Sequence, residues 1–354
     1  WIPIILLAIV AVYLIFSDNS IKSAKEIIIP TPPIEQQSPL ESLLYSQLPE
    51  LIHNAGEDNW TLDDVHFNED KTQAILWMAE NDLEEGDQYA REPEIVLALW
   101  DESAGRWSLH LTSDPEFNDL FLTTDFKDDE IADRFNFEAD PKAGPSSTVY
   151  GGYKLPWRGG LAKRLTWSVA HSSCTPRSYC TFAYDFADGT MFELTAAKGG
   201  YVYHWRDTCN NGDSRCTNSI TLEDRTTTPW TYQIYLHIAK NSIPENLKLR
   251  GVYVSQGMKI ATVDDTGMST GHHVHFMVVE QPTLIDCKNY CFGKSVDITF
   301  EDVEINWHAG TQGGRPRLAA EASWYGGSGR TYYESKNTFK DGPWIQILPL
   351  IMKH

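Results

Sequence analysis

Residues 267–276 read GMSTGHHVHF, three histidines in four positions between a glycine-bounded loop and an apolar run, MVV, at 277–279. Along an extended strand side chains alternate between faces, so His273 and His275 share one side while His272 and Val274 take the other. Two imidazoles on one face can serve one site. An H-x-H pair on a surface strand also arises without a metal, so the reading turns on what the rest of the chain supplies.

Two further stretches supply partners. WSVAHSSCTPRSYCTFAYDFADG (167–189) puts His171 ahead of a cysteine pair and Asp185 behind it. Asp185 stands in an apolar setting, AYDF, where an unpaired carboxylate is costly and a metal ion would offset the cost. TYQIYLHIAK (231–240) reads as a strand that ends at His237 and can approach the same groove. His171, Asp185 and His275 would form a set of two nitrogens and one oxygen for zinc, with water in the fourth position. His237 and His273 would then remain as unligated imidazoles beside the reacting water.

These residues resemble the lysostaphin-type, or LytM-like, zinc metallopeptidases, the peptidoglycan endopeptidase family. The resemblance rests on DDTGMSTGHHVHFMV (264–278), on YLH ending at His237, and on the glycine-turned pair VSQGMKIATVDDTG (254–267). DGTMFELTAAKGGYVY (188–203) adds to it, and the likeness runs from about Leu155 to Val279, roughly a third of the chain. It implies Zn2+ held by His171, Asp185 and His275, catalytic support from His237 and His273, and hydrolysis of peptide bonds in peptidoglycan stem or cross-bridge peptides. Thirteen residues separate His171 from Asp185, a longer interval than the family commonly has. His204, in YVYHW, is the local alternative to His171. The split of roles between His237 and His273 stays open. A module that uses the same groove to bind cell wall or a partner without cleaving is the main rival, and a purely structural exported domain is the second. No GxSxG elbow is present for serine chemistry.

The rest of the chain gives this site a setting. A net charge of −20 excludes a general nucleic-acid binder, which needs a basic surface. Residues 1–17 open with sixteen uncharged positions, WIPIILLAIVAVYLIF, read as a membrane or signal anchor whose start is truncated, since Trp stands at position 1. Cleavage of this segment would instead give a secreted protein. The six cysteines fall into close pairs, Cys174/Cys180, Cys209/Cys216 and Cys287/Cys291, spaced for short disulfide loops outside the cytosol. Residues 18–51, with Pro30, Pro32, Pro33 and Pro39, read as an extended linker.

Residues 52–145 read as a small α+β or β domain that positions the catalytic part, binds the wall or covers the groove. Within it EPEIVLALWD and GRWSLHLTS pair as strands, TQAILWMAE is a strand or short helix, and FKDDEIADRFN is a short helix. The ten Asp and Glu of 111–140 read as solvated surface. Residues 150–285 form the metallopeptidase domain and 286–354 a C-terminal extension. Its short runs divided by Gly, Asn and Asp make the expected fold mainly β and antiparallel, with no long helices to cover a parallel sheet. Trp205, Trp230 and Tyr235 are candidates for groove or core. Expected partners are a peptidoglycan peptide and, through the N-terminal helix, a membrane; the sequence does not identify a regulatory protein.

Overall fold

In a computed structural model the described residues are 37–57, 60–80, 90–132, 148–167, 180, 182–284, 287–303 and 332–339. The expected N-terminal apolar helix, His171, Cys174 and His308 lie outside them. Among the described residues no helix is long and apolar enough to cross a membrane.

The chain begins with helix α1 (Pro39–Ala55), followed by strands β1 (Trp60–Phe67), β2 (Gln73–Glu80), β3 (Glu94–Asp101) and β4 (Arg106–Leu111). A short helix α2 (Phe117–Phe121) and a 3-10 turn (Asp125–Asp128) come next. The four strands form an antiparallel meander in the order β1-β2-β3-β4. The stretch TQAILWMAE is therefore a strand. It carries an almost unbroken apolar run because both of its faces are covered. Ala74, Leu76 and Met78 pack with Leu44, Leu48 and Ile52 of α1. Ile75 and Trp77 pack on the other face with Phe117, Phe121, Phe126 and Met268.

Helix α1 starts inside the stretch read as linker. Pro39 is at its first turn, where a missing N–H costs nothing. Ser38 Oγ accepts from Glu41 N–H (3.2 Å) while Glu41 accepts from Ser38 N–H (2.6 Å), a capping box that starts the helix. The packed structure thus begins by residue 38 and not at 52. Of the expected helix in FKDDEIADRFN, residues 126–128 lie in the 3-10 turn, Ala132 is helical, and residues 133–136 lie outside the described residues.

The remaining strands are β5 (Tyr150–Tyr153), β6 (Ala162–Trp167), β7 (Tyr184–Ala187), β8 (Glu193–Thr195), β9 (Gly200–Arg206), β10 (Ser219–Asp224) and β11 (Thr231–Leu236). They continue with β12 (Tyr253–Val254), β13 (Lys259–Thr262), β14 (His273–Leu284), β15 (Gly293–Ser295), β16 (Ile298–Phe300) and β17 (Tyr332–Glu334). A nine-stranded sheet runs β12-β9-β10-β11-β14-β7-β6-β17, with β15 also on β14. Its pairings are antiparallel, as the sequence implies. The pairs β13-β8 and β16-β5 flank it.

The main core holds Tyr184, Phe186, Tyr235, Val274, Phe276 and Val278 from one face of the central strands. Tyr235 is fully buried there, its hydroxyl bonded to Ala197 N–H (2.8 Å), whereas Trp230 is exposed and Trp205 packs against the core edge. Cys209–Cys216 and Cys287–Cys291 are disulfides, and Cys180 is disulfide-bonded as well.

Candidate active site

The register of the three central strands assembles the site. His275 on β14 is paired with Asp185 on β7 and with Leu236 on β11. Residues 274 and 276 turn into the main core with Tyr184 and Phe186, which sends His273, His275 and Asp185 to the opposite face. His237 follows Leu236 directly and carries a positive φ of 60°, a conformation uncommon outside glycine that histidine, like asparagine and aspartate, adopts more readily than most residues. This bend ends β11 and brings the imidazole over β14. The ring centroids of His237 and His273 are 4.5 Å apart, and those of His237 and His275 6.3 Å.

Two of the three ligands expected from the sequence are in the described structure, and they meet. His275 Nδ1 is 3.1 Å from Asp185 Oδ1. Tetrahedral donors about 2.0–2.2 Å from a zinc ion stand about 3.3–3.6 Å from one another, so this nitrogen and this carboxylate oxygen would part by a few tenths of an ångström to hold that ion. Both residues are buried, where a divalent cation would stabilise the carboxylate. His204, the alternative to His171, lies on β9 opposite Thr221, with β10 and β11 between it and β14.

His237 and His273 present the same nitrogen to this centre. His237 Nδ1 is 2.7 Å from the carbonyl of Thr266, and His273 Nδ1 is 2.9 Å from that of Gly271. A carbonyl only accepts, so each Nδ1 carries the proton and the neutral ring keeps its lone pair on Nε2. Among the described residues neither Nε2 has a hydrogen-bond partner. His273 Nε2 is 3.7 Å from Asp185 Oδ2. Burial pushes the His273 imidazole down to about 3, which keeps that lone pair available at neutral pH. Two buried acceptor nitrogens beside a carboxylate can take a proton from water and return it to a leaving group. His272 is directed elsewhere: its Nδ1 is 3.7 Å from Asp264 and 3.8 Å from Asp265.

One residue of the site was absent from the sequence reading. Glu92, from the segment that leads into β3, is fully buried against the same histidines. Its Oε1 is 3.4 Å from His275 Nδ1 and 3.7 Å from His237 Nε2, and its N–H donates to Asp185 Oδ2 (3.2 Å). Asp185 is 93 residues further along the chain. Nothing in the string REPE announces the contact; the only local signal is a carboxylate beside an apolar strand.

Comparison with known proteins gives three results. Among solved structures the chain is similar to a zinc-containing peptidase from Vibrio cholerae, at 15% identity over 75% of this chain and 65% of that one, with a TM-score of 0.24. It is also similar to lysostaphin (18% identity, 43% and 60% covered, TM-score 0.26) and to Helicobacter pylori Csd3 (14%, 69% and 55%, TM-score 0.23). The chain therefore spans less than two thirds of the length of each of these proteins. No curated protein matches it. Residues 182–287 match Peptidase family M23, a stretch that contains Asp185, His237, His273 and His275. Over this stretch the chain is similar to Peptidase family M23, the peptidase family that its histidine motifs resemble.

Proposed function

We propose that the chain is a zinc-dependent endopeptidase that hydrolyses peptide bonds in the stem or cross-bridge peptides of bacterial peptidoglycan. The observation that carries this reading is the convergence of Asp185, His275, His237 and His273 on one buried face of β7, β11 and β14. Asp185 and His275 would hold the metal, with His171 as the third protein ligand. When bound, zinc supplies Lewis-acid polarisation of a carbonyl and a lowered pKa for water. The Nε2 atoms of His237 and His273 do the proton work. One accepts the proton of the attacking water, and the other, once protonated, donates to the oxyanion.

The substrate class follows from the lysostaphin-type resemblance and from an exported setting. Paired cysteines, an apolar segment at 1–17 and a proline-rich spacer up to the start of α1 support a catalytic domain held outside the cytoplasm, on a membrane anchor or released from it. Residues 286–354 would complete the catalytic fold, as the pairing of β17 with β6 suggests.

The test combines metal content with product analysis. The purified chain should bind zinc in stoichiometric amount, and His275→Ala should lose it. Mass spectrometry of mixed peptidoglycans should find new peptide fragments only with zinc-loaded protein, and none with His275→Ala or after chelation. His237→Ala should keep zinc and lose turnover by about 10²-fold or more. Equal zinc content in wild type and His275→Ala would overturn the ligand assignment. Bound zinc without any fragments would favour a binding module.

A further inference from the structure

His272 takes no part in the centre that its neighbours His273 and His275 build. It faces the far end of its own loop, with Nδ1 3.7 Å from Asp264 Oδ1 and 3.8 Å from Asp265 Oδ1. One donor atom from each of the three lies within 4.8 Å of the other two. The Asp264 side chain is 1% exposed, and His272 Nδ1 and Asp265 Oδ1 are buried atoms with no hydrogen-bond partner among the described residues. Among those residues both carboxylates have ion-pair contacts with His272 alone. A buried and a half-buried carboxylate without a lysine or arginine carry a desolvation cost that a bound cation offsets. His110, Asp114 and Glu116 also come together, but their donors are engaged or open to solvent. Asp114 accepts from Leu111 N–H (2.7 Å), His110 Nε2 is 3.1 Å from Ser108 Oγ, and Glu116 is exposed.

The loop between these groups holds both candidate catalytic imidazoles. Asp264 N–H donates to the carbonyl of His237 (2.7 Å). The carbonyl of Thr266 accepts from His237 Nδ1 (2.7 Å), and that of Gly271 from His273 Nδ1 (2.9 Å). Asp264 and Asp265 stand at one end of this loop and His272 at the other, with Gly267 and Gly271 at positive φ between them. A cation that joins the two ends restricts a glycine-bearing loop, and with it the two carbonyls that set the imidazole tautomers.

We propose that Asp264, Asp265 and His272 form a second site for a divalent cation of the zinc type, and that this ion clamps the loop carrying the carbonyls of Thr266 and Gly271. An imidazole nitrogen beside carboxylate oxygens suits such an ion, whereas calcium takes oxygen ligands. Tetrahedral zinc donors stand about 3.3–3.6 Å apart, so the 3.7 and 3.8 Å contacts of His272 need close by only a few tenths of an ångström. The two carboxylates balance the divalent charge, and the neutral ring keeps its proton on Nε2 while Nδ1 donates its lone pair. Gly212 N–H, which donates to Asp264 Oδ2 (3.3 Å), holds the outer oxygen of the buried carboxylate in place. Binding here is independent of the zinc reading of the catalytic centre; only the effect on turnover rests on that reading.

The test uses the full chain with Zn2+ as the probe, and reads metal content, hydrogen exchange and peptidoglycan cleavage. Wild type should bind two equivalents, His275→Ala and His272→Ala one each, and the double variant none. Asp265→Glu keeps the ligand type and should hold the second equivalent, whereas Asp265→Asn should weaken it about tenfold or more. In His275→Ala, where this site alone is filled, zinc at about ten times its Kd should slow exchange at 264–272 about tenfold. His272→Ala and Asp265→Asn should lower kcat about tenfold with KM nearly kept, and Asp265→Glu should restore it. If His272→Ala does not fold, the two Asp265 variants carry the test. Two equivalents retained by both His272→Ala and Asp265→Asn would overturn the site. A single equivalent, lost by His275→Ala and kept by those two variants, would overturn it while the catalytic centre stands. A single equivalent lost by His272→Ala and kept by His275→Ala would uphold this site and overturn the catalytic one. Unchanged exchange at 264–272 together with unchanged kcat in Asp265→Asn would overturn the clamp. Fragments from no form of the chain would overturn the peptidase reading, while metal content and exchange still decide this site.

Discussion

Met268→Ala probes the contact between the loop ahead of β14 and the four-stranded sheet without touching a candidate ligand. Met268 is 4% exposed and packs with Ile75, Trp77, Ile95, Leu97, Phe117 and Phe121. Truncation of a buried methionine costs about 2–5 kcal/mol, the lower end applying where the surroundings can relax. Met268 already borders a cavity of about 120 Å³ shared with His66, Trp77, Glu130 and Arg215, so one side of the side chain has few neighbours to lose. The expected cost is thus about 2 kcal/mol, or about 30-fold in an equilibrium constant. Because Met268, from the loop ahead of β14, packs into the core of the N-terminal part with Ile75, Trp77, Ile95 and Leu97, the loss should appear as opening of this junction. Hydrogen exchange read by mass spectrometry should show faster exchange at 90–97 and 267–271, with protection kept in β9, β10 and β11. Exchange that accelerates uniformly, or a change at 90–97 below about twofold, would refute the claim that this contact holds the two sheets together.

Two further outcomes follow from the geometry. Asp63 on β1 is held up at about 6, first by burial and then by Asp64 and Asp265. Its folded carboxyl keeps a proton that the unfolded chain gives up near pH 4, so the folded state loses stability as pH rises from about 4 to 6. Asp63→Asn should therefore gain about 2 kcal/mol at pH 7.5 and almost nothing at pH 4 in urea titrations; an equal gain at both would contradict this sign. Gly267 has φ +80°, and a Cβ there would meet the Thr217 side chain and lie 3.0 Å from its Cα. Gly267→Ala should destabilise by about 2–4 kcal/mol in thermal melts, and a shift in Tm within error of zero would show that this loop can move aside.

The face shared by His273 and His275 was legible because period-two alternation fixes it, and Asp185 because a carboxylate between Tyr184 and Phe186 demands a partner. His237 was legible as the end of an apolar strand, although its positive φ was not, since no glycine or asparagine marks the bend. Glu92 was out of reach. Its neighbours Asp185, His237 and His275 are distant in sequence, and only the pairing of loops from two sheets brings them together. The β2 stretch was ambiguous because cover on both faces erases alternation. The start of α1 was hidden because Pro39 continues a proline-rich run while also suiting a helix's first turn, and only Ser38 with Glu41 marks it.

The alternation along β14 also bears on how the protein can misfold. A slip of one residue against β7 or β11 would turn Val274 and Phe276 outward and drive His273 and His275 into the hydrocarbon core beside Tyr235 and Phe186. The packing that would reject such a slip is the packing that aims the imidazoles. A chain with a stable sheet but a misaligned centre is therefore not an available state, and quality control that senses only exposed apolar surface would screen the histidine and aspartate constellation as well.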